Sequence, residues 1–275
     1  MMRIPLVIVS RGLRGDCCLR KSKYLITDRP VYVYVWTDDY AKYKALDLPV
    51  NYEIRALSMQ GRDICIQEKR YLIQQDLKDM SVFMSDDDPY FFATQKSGKY
   101  ELCTFEQLLD DFEDSLTDDV LAGVNANWHT STIEKSEGIA HNLFFLNFQK
   151  LSTLGIVFDN TPKQPEDVDV NCQLYAATGK LPNLYKLLHA SFHIGDVKSF
   201  TDDQTHLFGR RYNFEKFASK IPAWKISRPK DGKLKVVPVA KKPKSVVLVD
   251  SFDDAVQKFD ASGKKHLTVA LYTKD

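Results

Sequence analysis

The sequence predicts an α/β protein in which a mainly parallel sheet is flanked by helices. Short β-branched apolar runs alternate four times with helical patterns before residue 86, which is typical of βαβ units. The composition is that of a folded protein, since 44% of the 275 residues are hydrophobic and 27% are charged. No stretch has the ~18 apolar residues of a membrane span, and the first residues do not resemble a secretion signal. Five cysteines without CxxC spacing predict reduced thiols in a cytoplasmic protein.

Apolar runs of strand length and their boundaries place the elements of the first 90 residues. A β-branched run that ends at Arg11 and Gly12 predicts the first buried strand. Asp38 is a candidate helix N-cap, and Gly61 precedes a helical pattern. The predicted strands are Ile4–Ser10, Val31–Trp36, Glu53–Leu57 and Ser81–Ser85, and the predicted helices are Cys17–Ile26, Asp38–Leu46 and Arg62–Leu77.

Beyond residue 90 the predicted strands and helices alternate less regularly. Pro165 followed by two acids predicts a helix start, and the basic, proline-containing stretch from about Thr201 predicts loops or a hairpin. Helices are predicted at Phe105–Phe112 and Pro165–Thr178, strands or strand–helix pairs at Val120–Asn125 and Leu143–Phe148, a strand within Leu184–Ile194, and a terminal β–α–β unit over Ser245–Val249, Phe252–Phe259 and Leu267–Tyr272. We predict a catalytic domain over residues 1–200 and a basic C-terminal extension over 201–275, packed on the same domain.

The net charge of +1 conceals two segments of opposite sign. The segment from Asp76 to Asp119 contains thirteen acids and three lysines, a net charge of −10. The segment from Phe208 to Val246 contains twelve bases and two acids, a net charge of +10. The first could hold a metal ion and the second could meet a polyanion, although two solvated surfaces would give the same pattern.

The most informative motif is Asp86-Asp87-Asp88, which directly follows the predicted strand Ser81–Ser85. Ligands of open α/β sheets bind at the carboxyl ends of the strands. Three adjacent carboxylates repel one another unless a cation or a positive group compensates them. Mg²⁺ or Mn²⁺ together with the phosphates of a nucleotide suits such a set, and a solvated acidic loop is the alternative.

Three segments together, IPLVIVSRG, MQGRDICIQEKRYLI and VFMSDDD, resemble the nucleotide-binding half of a GT-A-fold glycosyltransferase. Their order is similar to that in the phage and TET-associated enzymes that glycosylate 5-hydroxymethylcytosine in DNA. The resemblance spans about residues 4–195. It implies a Rossmann-like GT-A fold, a UDP-sugar donor (UDP-arabinose or UDP-glucose), a Mn²⁺ or Mg²⁺ cofactor and double-stranded DNA as acceptor in the cytoplasm of a phage-infected bacterium.

The resemblance also implies roles for individual residues. Those expected at the nucleotide sugar are Ser10, Arg11, Gly12, Gln60, Gly61, Arg62, Asp86 and Asp87. Those expected at the metal are Asp88, Asp86 and His193. Arg62 could instead be a surface residue at a helix end, and His193 could be an ordinary hydrogen-bonded histidine.

In this class of enzyme a carboxylate on the acceptor side acts as general base, which implies inversion at the anomeric carbon. Asp167 is the first candidate and Glu166 the second, because both open a predicted helix. Adjacent acids at a helix start are also common as simple N-terminal caps.

The basic segment mixes cations with aromatic side chains, a combination that suits phosphate and base contacts. The candidate DNA-binding residues are Arg210, Arg211, Lys225, Arg228, Lys241, Lys242 and Lys244. Two alternatives stay open. One is a GT-A glycosyltransferase with a polysaccharide, lipid or protein acceptor, and the other is a non-catalytic DNA-binding accessory protein.

Overall fold

A computed structural model describes residues 3–10, 12–13, 17–19, 26–58, 66–96, 99–125, 135–158, 166–191, 203–228, 232–239, 243 and 245–272. The chain divides into two compact units. The first comprises Met1–Ser136, Ala140–Phe158 and Pro182–Val197, and the second comprises Glu137–Ile139, Asp159–Leu181 and Lys198–Asp275. The predicted division into domains at residue 200 stays a prediction.

The first unit is built on a ten-stranded sheet with the order β3-β2-β1-β4-β9-β7-β10-β5-β6, and β8 pairs with β10. Strands β3, β2, β1 and β4 are parallel neighbours, and β7 is parallel to β10. Strands β9 and β5 are antiparallel to the strands beside them. The prediction of an α/β fold with a mainly parallel sheet flanked by helices is therefore confirmed.

The strands of this sheet are β1 (Leu6–Val9), β2 (Val31–Trp36), β3 (Tyr52–Leu57), β4 (Ser81–Asp86), β5 (Pro89–Lys96), β6 (Lys99–Leu102), β7 (Leu121–Asn125), β8 (Lys135–Glu137), β9 (Leu143–Asn147) and β10 (Asn183–Ser191). The helices between them are α1 (Tyr40–Lys44), α2 (Ile66–Asp76), α3 (Phe105–Ser115), α4 (Phe148–Thr153) and α5 (Glu166–Thr178). The core strands are apolar on both faces, as expected for parallel strands covered on both sides: all four residues of β1 are buried.

Local sequence explains where α3 begins and which face it buries. Thr104 accepts a hydrogen bond from the Gln107 backbone N–H at 3.1 Å, and the Gln107 side chain accepts one from the Thr104 N–H at 2.9 Å. This capping box satisfies two backbone donors that the helix itself leaves unpaired. The helix then buries Phe105, Leu108, Leu109 and Phe112 against the sheet, at the spacing of one helix face.

The second unit contains a four-stranded sheet with the order β12-β11-β14-β13. Its elements are α6 (Asp203–Phe217), β11 (Trp224–Ser227), β12 (Lys235–Pro238), β13 (Val247–Val249), α7 (Phe252–Ser262) and β14 (His266–Leu271), and α5 also belongs to this unit. Strands β13 and β14 are parallel and α7 connects them, so the predicted terminal β–α–β unit is confirmed. Its core is built around Trp224, Phe214 and Phe252.

Two sequence predictions about local structure are wrong. The segment after Thr201 is not only loop and hairpin, because α6 precedes the β11–β12 hairpin and buries Phe214 and Phe217. Asp38 does not cap a helix over Asp38–Leu46. A 3₁₀ turn occupies Thr37–Asp39, and the Asp39 carboxylate accepts a hydrogen bond from Lys42 at 2.6 Å without capping α1.

Among the described residues, Cys17, Cys18, Cys103 and Cys172 are free cysteines. The reduced state of the thiols stays a prediction. In the part of the chain that the structure describes, no helix has both the length and the apolar character that crossing a membrane requires.

Candidate active site

Strands β1 and β4 end side by side at the carboxyl edge of the first sheet. Their parallel register pairs Val9 with Asp86, so that Ser10 and Asp87 are the next residues along each chain. The Ser10 hydroxyl donates a hydrogen bond to the Asp87 carboxylate. Ser10 is fully buried and Asp87 is 2% exposed. Two of the residues predicted at the nucleotide sugar are therefore in contact, and the Asp87 carboxylate is directed into the protein.

The contacts around Ser10 continue to Tyr43 of α1. Because Ser10 gives its one proton to a carboxylate, the Tyr43 hydroxyl is the donor in the Ser10–Tyr43 hydrogen bond. Burial raises the pKa of Tyr43, so this donor keeps its proton at neutral pH. The backbone N–H of Cys18 donates a hydrogen bond to the Asp87 carbonyl at 2.8 Å. This bond joins the segment after β1 to Asp86–Asp88, which is termed the aspartate loop.

Gly12 follows Ser10 by two residues and has a φ of +98°. Side chains rarely tolerate this backbone conformation, whereas glycine adopts it freely. A Cβ built at Gly12 would lie 3.6 Å from Asp39 Oδ2, so the conformation and not crowding requires glycine here.

Two buried cations of α2 lie at the ends of β1 and β4, and one of them pairs with an aspartate of the loop. Arg70 Nη2 donates to Asp86 Oδ1 at 2.9 Å, and its guanidinium lies 5.1 Å from the ring centroid of Phe144. Lys69 Nζ donates to the Ser10 carbonyl and lies 4.7 Å from the ring centroid of Trp36. Lys69 is 1% exposed and Arg70 is 2% exposed. The positive group that three adjacent carboxylates require is thus present in the chain itself.

The aspartate loop also has the chemistry of a Mg²⁺ or Mn²⁺ site. These ions prefer oxygen ligands and are commonly held by one or two carboxylates together with substrate phosphates. Asp86 is about one third exposed at its side chain, and Asp88 is 9% exposed. Among the described residues no group of three or more His, Cys, Asp or Glu side chains is arranged to hold a metal ion.

The two candidate bases lie at the start of α5, in the second unit. Glu166 is buried, whereas Asp167 is half-buried and accepts a hydrogen bond from the Val168 N–H at 2.8 Å. Asp169, two residues further on, is 1% exposed, and its carboxylate lies 3.3 Å from Lys216 Nζ of α6 and accepts a hydrogen bond from Gln173. This buried ion pair joins α5 to α6.

The residues predicted to bind DNA have different surroundings. Arg210 is buried, Arg211 forms an ion pair with Asp253, and Arg228 forms a two-pronged ion pair with Asp260 at 3.1 Å. Lys225 is exposed on β11 and has no ion pair among the described residues. Intramolecular partners thus compete for Arg211 and Arg228.

Eight predicted site residues lie outside the described residues: Arg11, Gln60, Gly61, Arg62, His193, Lys241, Lys242 and Lys244. Their assignments stay predictions.

Sequence reasoning did not find Lys69, Arg70 or Tyr43. Lys69 and Arg70 stand in a polar run at the start of a helix, a pattern more often found on a solvated face, and only the packing of α2 shows that they are buried. Tyr43 gave no signal, since it stands between Lys42 and Lys44. Their contacts with Ser10 and Asp86 come from elements separated by 16 to 59 residues.

Comparison with known proteins identifies the fold. No protein-family model matches the sequence. No curated protein matches it either. Among solved structures, the chain is similar to Staphylococcus aureus TarS 1-349 in complex with UDP-GlcNAc, with a TM-score of 0.51, 12% identity, and coverage of 79% of this chain and 66% of TarS. It is also similar to the apo-form glycosyltransferase GlyE of Streptococcus pneumoniae TIGR4, with a TM-score of 0.40, 11% identity and coverage of 79% and 50%.

The first of these similarities, together with the α/β sheet, shows a GT-A-like fold and confirms the predicted fold class. The chain spans just under two thirds of the TarS fragment and half of GlyE. At 12% identity the likeness shows the fold alone.

Proposed function

We propose that the protein is a glycosyltransferase that binds a UDP-sugar at the carboxyl edge of β1 and β4. The observation that carries this proposal is the convergence of Ser10 and Asp86–Asp88 at that edge of a GT-A-like sheet. Open α/β sheets bind ligands at this edge, and TarS was crystallised in complex with a UDP-sugar. The ion pair of Asp86 with the buried Arg70 supports a functional role for the acidic loop, since a purely solvated loop would not need a buried cation.

Within this proposal the three aspartates have different tasks. Asp87 holds the end of β1 through Ser10, while Asp86 and Asp88 bind the donor and a divalent cation. Arg70 orients the Asp86 carboxylate. The cation, Mn²⁺ or Mg²⁺, would supply Lewis-acid stabilisation of the departing diphosphate. Gly12, together with Arg11 and the segment Gln60–Arg62, would complete the nucleotide-sugar site, and His193 would be a further metal ligand.

For the acceptor, we propose that Asp167 or Glu166 removes the proton of the attacking hydroxyl, with inversion at the anomeric carbon. The finer proposal is that this hydroxyl belongs to 5-hydroxymethylcytosine in phage DNA and that the sugar is arabinose or glucose. The resemblance in the sequence and the +10 charge of the segment 208–246 support it. A polysaccharide, lipid or protein acceptor is the rival within the same fold.

Donor binding is tested by titrating the protein with UDP in the presence and absence of Mn²⁺ in a calorimeter. Asp88→Asn should weaken Mn²⁺-dependent UDP binding at least tenfold, or about 1.4 kcal/mol. Asp79→Asn is the matched control, because Asp79 is exposed and precedes β4 at the opposite edge of the sheet. Equal affinities of wild type and Asp88→Asn would contradict the proposed site.

Transfer is tested by incubating 5-hydroxymethylcytosine DNA with a panel of UDP-sugars and Mn²⁺, followed by digestion to nucleosides and mass spectrometry. A mass gain of one pentose or hexose on the modified cytidine supports the DNA acceptor. Donor binding without any mass gain on DNA would overturn the proposal that DNA is the acceptor, and the glycosyltransferase proposal would still stand. A non-catalytic accessory protein would show neither UDP binding nor transfer.

A further inference from the structure

Among the described residues, helices pack on the face of the C-terminal sheet that carries Trp224 and Ile226. Helix α7 packs on β11, β13 and β14, and α6 packs on β12. Alternate residues of β11 divide accordingly: Trp224 and Ile226 are fully buried, whereas Lys225 is exposed. The side of the sheet that carries Lys225 is termed the outward face.

The strand register places the outward side chains in two rows. In one row Ser227 is opposite Lys235 of β12 and His266 of β14. In the next row Lys225 is opposite Val237 and Thr268. Lys225, Lys235 and His266 are all exposed, and none of them forms an ion pair with another described residue.

The same register explains why Arg228 does not belong to this face. It follows Ser227 by one residue, so it is directed to the helix side, where it pairs with Asp260 of α7. The outward face, by contrast, has no carboxylate, since the four strands WKIS, KVVP, VLV and HLTVAL contain neither aspartate nor glutamate.

Charge and hydrogen-bonding capacity together define what this face can bind. Neighbouring strands are ~5 Å apart and alternate residues of a strand ~7 Å apart, so the three basic side chains start from positions within about 10 Å of one another. That distance is comparable to the Debye length at physiological salt, so the repulsion between the Lys225 and Lys235 ammonium groups is incompletely screened. Exposed Lys264 and Lys265 directly precede His266 and add charge at the same end. Ser227 and Thr268 lie in the same two rows as the basic residues and contribute hydroxyl groups, which commonly donate hydrogen bonds to phosphate oxygens.

We propose that the outward face of the C-terminal sheet binds the phosphate backbone of double-stranded DNA through Lys225, Lys235 and His266. This inference rests on the DNA acceptor proposed above and names the surface that holds it. In this proposal Lys225, Lys235 and His266 take the place of Arg210, Arg211 and Arg228 as DNA contacts, because the three arginines are buried or paired within the protein. The contacts are to the backbone, so affinity depends little on base sequence.

The test measures DNA affinity of the full chain by fluorescence anisotropy with a labelled 20-base-pair duplex between 50 and 200 mM salt. Each lost phosphate contact reduces the slope of log K against log salt by about 0.9. Lys225→Gln/Lys235→Gln should therefore reduce the slope by about 2 and weaken binding at low salt at least tenfold. The control Lys180→Gln/Lys220→Gln removes the same charge from two exposed lysines outside the four strands and should leave the slope unchanged.

An unchanged slope in Lys225→Gln/Lys235→Gln, or equal losses in both double variants, overturns the assignment of the face. Equally tight binding of poly-glutamate overturns DNA as the occupant, since a phosphate-specific surface should favour the duplex. Face-dependent DNA binding without UDP binding or glycosyl transfer would overturn the enzymatic proposal and leave this surface in place.

Discussion

Removal of the Tyr185 hydroxyl should destabilise the first unit by an amount that depends on pH. Tyr185 of β10 is 5% exposed and donates a hydrogen bond to Asp119 Oδ2 at 2.7 Å. Asp119 also accepts hydrogen bonds from the Thr117 N–H at 3.0 Å and from the Asn183 amide. In Tyr185→Phe the carboxylate keeps these two partners, so the loss at pH 7 should be about 1.5–2 kcal/mol, the lower part of the range for a hydrogen bond to a charged group.

The pH dependence follows from the tyrosine itself. Burial, reinforced by the neighbouring Asp119 carboxylate, raises the pKa of Tyr185 to about 12 from its ordinary value of 10. The native state therefore keeps a proton that the unfolded state releases above pH 10. The stability contributed by this proton is fully present below pH 10 and is lost as the pH rises to about 12, a loss of about 2 kcal/mol in wild type. Tyr185→Phe has no such proton, so the difference between wild type and variant should decrease above pH 10.

Urea denaturation of wild type and Tyr185→Phe at pH 7, 9 and 10.5 measures this difference. Tyr272→Phe is the control, because Tyr272 is 50% exposed and its hydroxyl loss should change stability by less than about 0.5 kcal/mol at every pH. A Tyr185→Phe difference that stays constant between pH 7 and pH 10.5 would refute the pKa argument, and no difference at pH 7 would refute the hydrogen bond to Asp119.

Three further predictions concern packing, charge and the backbone of the site. Arg29→Met should destabilise the protein by about 2 kcal/mol in urea denaturation, because the 1% exposed Arg29 side chain pairs with Asp110 and Glu113 of α3, whose side chains are 40% and 29% exposed and stay partly hydrated after its loss. The control Arg3→Met removes a 45% exposed side chain that pairs with Glu106 and Asp110 of the same helix, and it should cost less than about 1 kcal/mol. Gly123→Ala should lower the thermal midpoint by several degrees, since a Cβ there would lie 2.7 Å from that of Ala140, and an unchanged midpoint would show that β7 can shift. Gly12→Ala should weaken UDP binding as measured by calorimetry, because the backbone strain at φ +98° lies in the proposed nucleotide site. The loss of binding free energy should be larger than the decrease in the free energy of unfolding.

Much of the fold could be predicted because apolar runs identify buried strands directly. The predicted strand Val31–Trp36 has the same bounds in the structure, and the terminal β–α–β unit lies where the pattern indicated. The helix α6 was missed because its 15 residues mix cations with Phe214 and Phe217 and show no clear amphipathic period. Its buried side is set by packing against α5 and α7, which a local pattern does not contain.

For the candidate site, the sequence determined that Ser10 ends one apolar strand and that the three aspartates follow another, since both positions can be read from the apolar runs. Only the tertiary structure decided what compensates the aspartates, because Arg70 reaches Asp86 across 16 residues and Lys69 reaches Ser10 across 59. In the basic segment the sequence determined the excess charge. The strand alternation and register then decided which cations pair with acids and which stay exposed, because adjacent residues of a strand face opposite sides of the sheet.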